Sequence, residues 1–386
     1  MERMFAKPFI ASLEGHVDAV ETMARKPETL DIVASGSWDG GLIVHDVSRR
    51  RSLFHIEDAH KGKVSGVCFG QQDRLLSCGV DRNIKLWDSH KGYEEDGSGA
   101  GPSKRKPISV YPGKAAFNSI DHHRSAAVSN LTIPTSTETV TAVRFNLAEA
   151  SVLASIGSDR SFTLYDIRTG KAERRIIMQM RSNALSWSPT FPTTVLLASE
   201  DHNLYTFDIR SLNTPTQIYK GHVAAVMSCD WCPTGLEFVS GGWDRTVRIW
   251  KEGVGTQPEV YHTKRMQRVM STLYTGDARF VLSGSDDGNV RIWKAHASDK
   301  LGIITARERA AIEYRESLKA RWKADAEVNK IARTRHLPKP VYKAAQLKRT
   351  MLEAQRVKEE RRRKHSRAGE SKPKAERKKV VIAEQS

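Results

Sequence analysis

The stretch Gly221–Trp250 reads GHVAAVMSCDWCPTGLEFVSGGWDRTVRIW and holds one complete structural unit. A strand-like run, Ala224–Trp231, leads into a Pro233-Thr234-Gly235 turn and a second strand, Glu237–Ser240. Asp244 then stands six residues before Trp250, with Val247 and Ile249 alternating between them as in a third strand. The same spacing joins Asp39 to His45, Asp81 to Trp87, Asp159 to Tyr165, Asp201 to Phe207 and Asp287 to Trp293. The marker residues are separated by 42, 78, 42, 43 and 43 positions. A period near 42, skipped once, implies a ring of repeated four-stranded antiparallel sheets.

Within the unit each polar residue has a structural task. Asp244 opens the turn before the third strand, where a carboxylate accepts backbone N–H groups and orients His222. His222 can reach Ser240, and Ser240 can reach the Trp250 ring nitrogen. His60, Ser77, Asp81 and Trp87 repeat the set. A Ser-His-Asp group also suggests a hydrolase, but its repetition describes a buried network rather than one active site. Units of this kind resemble WD40 blades. The expected fold is an all-β WD40 propeller, seven-fold with an eroded third blade, carrying an α-helical basic C-terminal extension. The ring is expected over residues 1–294, closed by Phe9–Leu13 as the outer strand of the last blade. Residues 91–106 read as a surface loop and Ile108–Tyr111 as a strand. Phe117–His122 and Ser125–Thr132 supply at most two strands for the third blade.

No phosphate loop, metal quartet or isolated nucleophile–base pair is present, so neither an enzyme nor a cofactor is expected. Cys68, Cys78, Cys229 and Cys232 read as buried strand residues of a protein in a reducing compartment. Asp121-His122-His123 reads as polar residues at a strand end. No apolar run approaches the ~18 residues of a membrane span, and no signal-peptide core is seen, so a soluble intracellular protein is expected.

Charge is unevenly placed. Met1–Trp293 carries 35 Lys and Arg against 33 Asp and Glu, whereas Lys294–Ser386 carries 27 against 12. A nearly neutral ring thus bears a strongly cationic extension, which points to a polyanionic partner. Residues 295–365 are expected to be helical. A Thr305–Glu308 capping box opens a helix to about Lys323, on which Ala311, Tyr314, Leu318 and Trp322 share one face expected to pack on the ring. A shorter helix is expected over Glu327–Arg335. Pro338 and Pro340 interrupt, and a longer helix follows from Tyr342 to Lys364. Residues 366–386 read as a disordered basic tail. Arg361, Arg362, Arg363 and Lys364, with Lys372, Lys374, Arg377, Lys378 and Lys379, form clusters suited to nucleic acid or nuclear targeting.

With those residues in view, the chain resembles the Sof-like WD-repeat family over nearly its full length. The resemblance rests on Arg3–Ile10, Ile120–His123, Glu200–Arg210 and Tyr261–Gln267 in the ring. In the extension it rests on Lys300–Thr305, Arg333–Pro340 and Arg361–Ser366. It implies a nuclear, nucleolar, non-enzymatic scaffold of the small-subunit processome, with pre-ribosomal RNA, U3 ribonucleoprotein and other processome proteins as partners and no membrane. It departs from the family in the short third blade, and in Lys264-Arg265 standing where a Gly-His pair would be. Relatives are also read as substrate receptors of cullin-4 ubiquitin ligases through a rim motif of Asp and Arg. Asp166 with Arg168, and Asp208 with Arg210, match that motif here.

Overall fold

A computed structural model of the chain describes residues 7–71, 73–89, 106–123, 139–255, 259–299, 302, 305–333, 337–367, 370–372 and 375–385. The loop expected over 91–106 falls almost wholly outside these residues, as do the strand expected over Ser125–Thr132 and Lys374. Among the described residues six antiparallel sheets form the ring, not seven. In chain order their strands span Val20–Ile56, Val64–Pro112, Val140–Met178, Ser182–Lys220, Val226–Tyr261 and Val269–Lys294. Five sheets have four strands and the third has five.

The six recurring aspartates explain why each sheet turns where it does. Each carboxylate accepts the N–H of the residue two positions on: Gly41 (2.7 Å), Asn83 (3.2 Å), Ser161 (3.0 Å), Asn203 (3.1 Å), Thr246 (3.2 Å) and Asn289 (3.4 Å). This is the Asx turn, in which a side chain substitutes for a backbone turn bond. The residue between donor and acceptor takes a left-handed conformation in every case. It is Gly at 40 and 288, but Arg82, Arg160, His202 and Arg245 elsewhere, with φ of 63°, 66°, 73° and 59°. That region costs a residue with a side chain about 1 kcal/mol or more, so the aspartate bonds hold these turns against local preference.

Sheets meet through alternating apolar residues. Leu196, Leu204, Tyr219, Trp231, Phe238 and Trp250 form one such buried layer between the fourth and fifth sheets. The last sheet takes its outer strand from the start of the chain, with Phe9 opposite Trp293 and Leu13 opposite Val290. Leu13 is buried against Val20, Leu282 and Ile292.

Among the described residues, an extended segment stands where the eroded third blade was expected. Residues 117–123 form no strand. Instead they lie along Val140–Phe145, where Ser119 Oγ accepts from Val143 N (3.4 Å) and Asp121 Oδ2 from Phe145 N (2.7 Å). Asn118 donates to the Val140 carbonyl at 2.9 Å. Ile120 covers a small cluster of Cys68, Leu76 and Leu86 on the other side. Side-chain bonds thus satisfy backbone groups that a paired strand would have used.

The extension contains α1 (Ala306–Arg321), α2 (Ala326–Arg333), α3 (Lys339–Lys364) and a short α4 (Arg377–Val380). Pro340 lies in the first turn of α3, where its missing N–H has no helical partner to lose. The chain then ends in a strand, Val381–Gln385, rather than in the expected disordered tail. That strand pairs antiparallel with Lys171–Met178 as the fifth strand of the third sheet. Val380, Val381 and Ile382 are β-branched, and Val380 packs among Met178, Leu185 and Ile176, which explains the ordering.

Candidate interaction surfaces

The Ser-His-Asp constellations are buried struts. His222 Nδ1 lies 3.0 Å from Asp244 and Nε2 lies 2.7 Å from Ser240 Oγ, which accepts from Trp250 Nε1 at 2.8 Å. His60 is placed in the same way beside Asp81 (2.9 Å) and Ser77 (2.6 Å), and Trp87 Nε1 donates to Ser77 at 2.9 Å. In the first sheet His16 and His45 both reach Ser35, at 2.9 and 2.8 Å. The last sheet keeps only the Trp293 to Ser283 bond (2.8 Å), and Asp287 pairs with Arg291 instead of a His. His222, Ser240 and Trp250 are all buried. A nucleophile enclosed in this way meets no substrate.

Burial holds the His222 and His60 imidazoles below their ordinary range, although Asp244 and Asp81 pull the other way. His45 is pushed down to about 3 by burial, helped by the neighbouring His16 and His55. Burial would raise Asp244, but His222, Arg248 and Thr246 outweigh it and hold the carboxylate low. The native state therefore binds fewer protons than the unfolded chain once pH drops below the unfolded imidazole value of about 6.5. Stability is expected to be flat above pH ~7 and to fall below ~6.5 by about 1.4 kcal/mol per pH unit for each neutral imidazole. A second loss is expected below pH ~4, where the unfolded aspartates take up protons. Thermal melts between pH 8 and 4 in a constant-charge buffer series check this. A melting temperature unchanged from pH ~7 to ~5 refutes it.

The four cysteines are free, buried thiols. Burial raises Cys68 and Cys229, and pushes Cys78 up to about 12. Asp121 is engaged by Phe145 N and Arg144, while His123 Nε2 faces the Ala150 carbonyl at 2.8 Å. Among the described residues no group of three His, Cys, Asp or Glu side chains could hold a metal ion. Nor is any described helix long and apolar enough to cross a membrane.

The two rim motifs differ. Arg168 forms an ion pair with Asp166 at 3.0 Å while remaining largely exposed. Asp208 instead accepts the Arg210 backbone N–H at 3.0 Å, and the Arg210 carbonyl accepts from Arg174 at 3.0 Å.

In the extension, Thr305 Oγ1 accepts from Glu308 N and the Glu308 carboxylate accepts from Thr305 N, so α1 starts at its capping box. Its apolar stripe does not pack on the ring as expected. Tyr314, Leu318 and Trp322 are 64%, 36% and 56% exposed, and no residue of α1 is buried. The stripe is one residue wide and flanked by Arg315, Lys319 and Arg321, short of the broad apolar face that docks a helix on a core.

The rest of the extension is tied to the ring. Val341 of α3 is buried, and Lys348 Nζ donates to the His222 carbonyl. Glu376 pairs with Lys220, Arg377 donates to Gln217 at 2.9 Å, and Gln179 N donates to the Val380 carbonyl at 2.8 Å. Nothing in the sequence marks Lys348, and the only signal of the C-terminal strand is its β-branched run. Arg361, Arg362, Arg363 and Lys364 form the exposed last turn of α3, where cations also complement the helix dipole. Glu359 and Glu360 pair with Arg363 and Lys364, leaving Arg361 and Arg362 without an ion-pair partner among the described residues. Lys372, Lys378 and Lys379 are exposed as well.

A ring of WD-type blades with buried polar struts and a cationic extension defines a propeller of the scaffold class. Residues 51–88, 213–251 and 260–294 match the WD domain, G-beta repeat family, and residues 295–381 match the Sof1-like domain family. The chain belongs to the Sof-like WD-repeat family. "DDB1- and CUL4-associated factor 13" of Danio rerio is 39% identical over 402 residues, covering 99% of this chain and 88% of the relative. The Homo sapiens protein of that name is 39% identical over 401 residues, with the same coverage. "Protein SOF1" of Saccharomyces cerevisiae is 36% identical over 386 residues, covering 91% of this chain and 79% of the relative. The solved WD40 β-propeller domain of Doa1 shares the fold at a TM-score of 0.63 and 18% identity, covering 75% of this chain and 97% of that one.

Proposed function

We propose that the protein is a non-enzymatic scaffold of the small-subunit processome in the nucleolus, holding pre-ribosomal RNA and U3 ribonucleoprotein during maturation of the small-subunit RNA. The observation that carries this reading is where the chemistry lies. The region matched by the Sof1-like family is also the cationic one, and it presents Arg361 and Arg362 to solvent with no ion-pair partner among the described residues. No aromatic residues are interleaved with the clusters at 361–364 and 372–379, so the extension binds RNA chiefly through phosphates, by counterion release. The exposed Tyr314, Leu318 and Trp322 stripe then serves as the anchor for a processome protein.

A second reading, substrate receptor of a cullin-4 ligase, is supported by the name of the vertebrate relatives and by the exposed Arg168 beside Asp166.

The test is in-cell RNA crosslinking with peptide-level mapping, together with sedimentation of pre-ribosomal particles. Crosslinks to pre-ribosomal RNA are expected within 361–379. Changing Arg361, Arg362, Arg363 and Lys364 to Ala is expected to flatten the salt dependence of binding, with no change in sequence preference. The slope of log affinity against log salt should fall by about 0.7 for each phosphate that the variant no longer neutralises. Changing Tyr314, Leu318 and Trp322 to Ala is expected to remove the protein from the particles. Co-purification with cullin-4 and its adaptor, without RNA crosslinks, favours the receptor reading instead.

A further inference from the structure

Each blade contributes two residues to one annulus on the face where the aspartate turns lie. One precedes the turn aspartate, the other precedes the innermost strand, and the first donates its N–H to the carbonyl of the second. The pairs are Trp38 with Ala19, Val80 with Lys63, Ser158 with Thr139, Glu200 with Arg181, Trp243 with Ala225 and Asp286 with Arg268, at 2.9–3.2 Å. Exposed tryptophans occupy this position twice, with Trp38 at 39% and Trp243 at 43% exposure. Each is covered by a cation from the next blade: Lys63 lies 5.1 Å from the Trp38 ring and Arg268 lies 4.7 Å from the Trp243 ring.

The two copies differ in one decisive respect. Around Trp38 the group is closed on itself, because Glu21 accepts from the indole N–H at 2.8 Å and pairs with Lys63 at 2.6 Å. The corresponding residue after the first inner-strand valine in the fifth blade is Met227, which carries no charge. Among the described residues the Trp243 indole N–H therefore has no acceptor and Arg268 has no carboxylate, even though Asp286 neighbours it in the annulus.

More cations gather beside it. Arg245, Lys264 and Arg265 are exposed and make no ion pair among the described residues. Their loops are held in place: His262 Nδ1 donates to the Arg245 carbonyl at 2.8 Å, Met266 is fully buried, and Gln267 N donates to Ser285 Oγ at 3.2 Å. The result is a platform with an exposed indole that Arg268 covers on one side, and, among the described residues, an indole N–H without an acceptor and four cations without a carboxylate.

We infer that Trp243, Arg245, Lys264, Arg265 and Arg268 form a second RNA-binding site, which takes single-stranded RNA by stacking a base at Trp243 and gripping adjacent phosphates. The inference rests on the proposed RNA-binding function and adds a base-stacking site on the ring to the phosphate contacts of the extension. A purely cationic patch would suit any polyanion. An exposed indole backed by a guanidinium favours one that carries a planar ring in every repeat, which RNA does and an acidic peptide does not. The cations then meet the phosphates.

The test uses the full chain and three probes: a short oligoadenylate, inorganic polyphosphate and polyglutamate. Trp243→Ala is expected to weaken oligoadenylate binding about tenfold and leave polyphosphate unaffected, because only base stacking is removed. Trp243→Phe should retain most of the affinity, and Arg268→Ala should weaken both RNA and polyphosphate. Trp38→Phe, at the closed copy, should change nothing. If Trp243→Ala and Arg268→Ala bind oligoadenylate like the parent while the Arg361–Lys364 variant no longer binds, this site is wrong and the proposed function stands. Failure of the parent chain to bind any RNA overturns both. Trp243-dependent binding of polyglutamate but not oligoadenylate makes the surface a peptide site and also overturns the inference.

Discussion

Trp250→Ala is expected to destabilise the ring by about 4 kcal/mol, among the largest losses available to one substitution in this chain. Trp250 is 1% exposed and stacks on Phe238 at 6.3 Å, with Tyr219 edge-on at 5.8 Å. Truncation removes the indole from this layer and leaves a cavity between the fourth and fifth sheets, where Leu196 and Leu204 cannot fully collapse. It also removes the indole donor from Ser240, although His222 still reaches that hydroxyl. Trp250→Phe separates the two effects. It keeps most of the ring area but breaks the 2.8 Å bond, for an expected cost nearer ~1–2 kcal/mol. Urea unfolding of both variants, read by far-ultraviolet circular dichroism, decides. Equal losses for the two variants would mean that the hydrogen bond, not the packing, holds this blade.

Removing residues 1–13 is expected to cost roughly 3 kcal/mol net of the conformational entropy recovered, and to lower the melting temperature by about 5 °C. The truncated ring is left without Leu13 in its buried layer and without the edge-on packing of Phe9 on Trp293 at 5.6 Å. More importantly, Val290–Lys294 becomes an unpaired edge with the sequence VRIWK, which invites intermolecular pairing. Concentration-dependent aggregation should therefore accompany the drop in stability. A synthetic peptide spanning residues 7–14 should suppress it. A truncated chain that melts and stays monomeric like the parent would show that the pairing contributes nothing.

The parts of the fold most legible in the sequence are those fixed by local chemistry. An aspartate six residues before a buried ring, as in Asp81–Trp87 or Asp244–Trp250, reflects a turn closed by its own carboxylate and a strand of set length. Such a constraint leaves a pattern wherever it acts. Blade number is not legible in the same way, because the 78-residue interval between Trp87 and Tyr165 is long enough to suggest an eroded blade. Of the described residues, 117–123 enter that space as an extended chain bonded through Ser119 and Asp121, which requires no periodicity at all. The C-terminal strand is hidden because its few β-branched residues follow Lys378 and Lys379, so that cationic composition masks a short run. Tyr314, Leu318 and Trp322 are recognisable as an apolar stripe, but a stripe does not say what covers it. The open platform at Trp243 emerges only in three dimensions, since it takes the comparison of Met227 with Glu21 to expose the missing carboxylate.

Joining the last sheet to Phe9–Leu13 has a consequence for synthesis. Val290, the partner of Leu13, leaves the ribosome almost a whole ring later. At ~5–20 residues per second the delay is on the order of 15–60 s. For that time the nascent chain carries an unpaired apolar strand at its head while blade after blade completes behind it. Ring closure is the last folding event of the propeller, and the Val381–Gln385 strand adds to the third sheet later still. Chaperone capture of ribosome-bound chains should therefore persist until Val290–Lys294 has cleared the exit tunnel, and should end abruptly there.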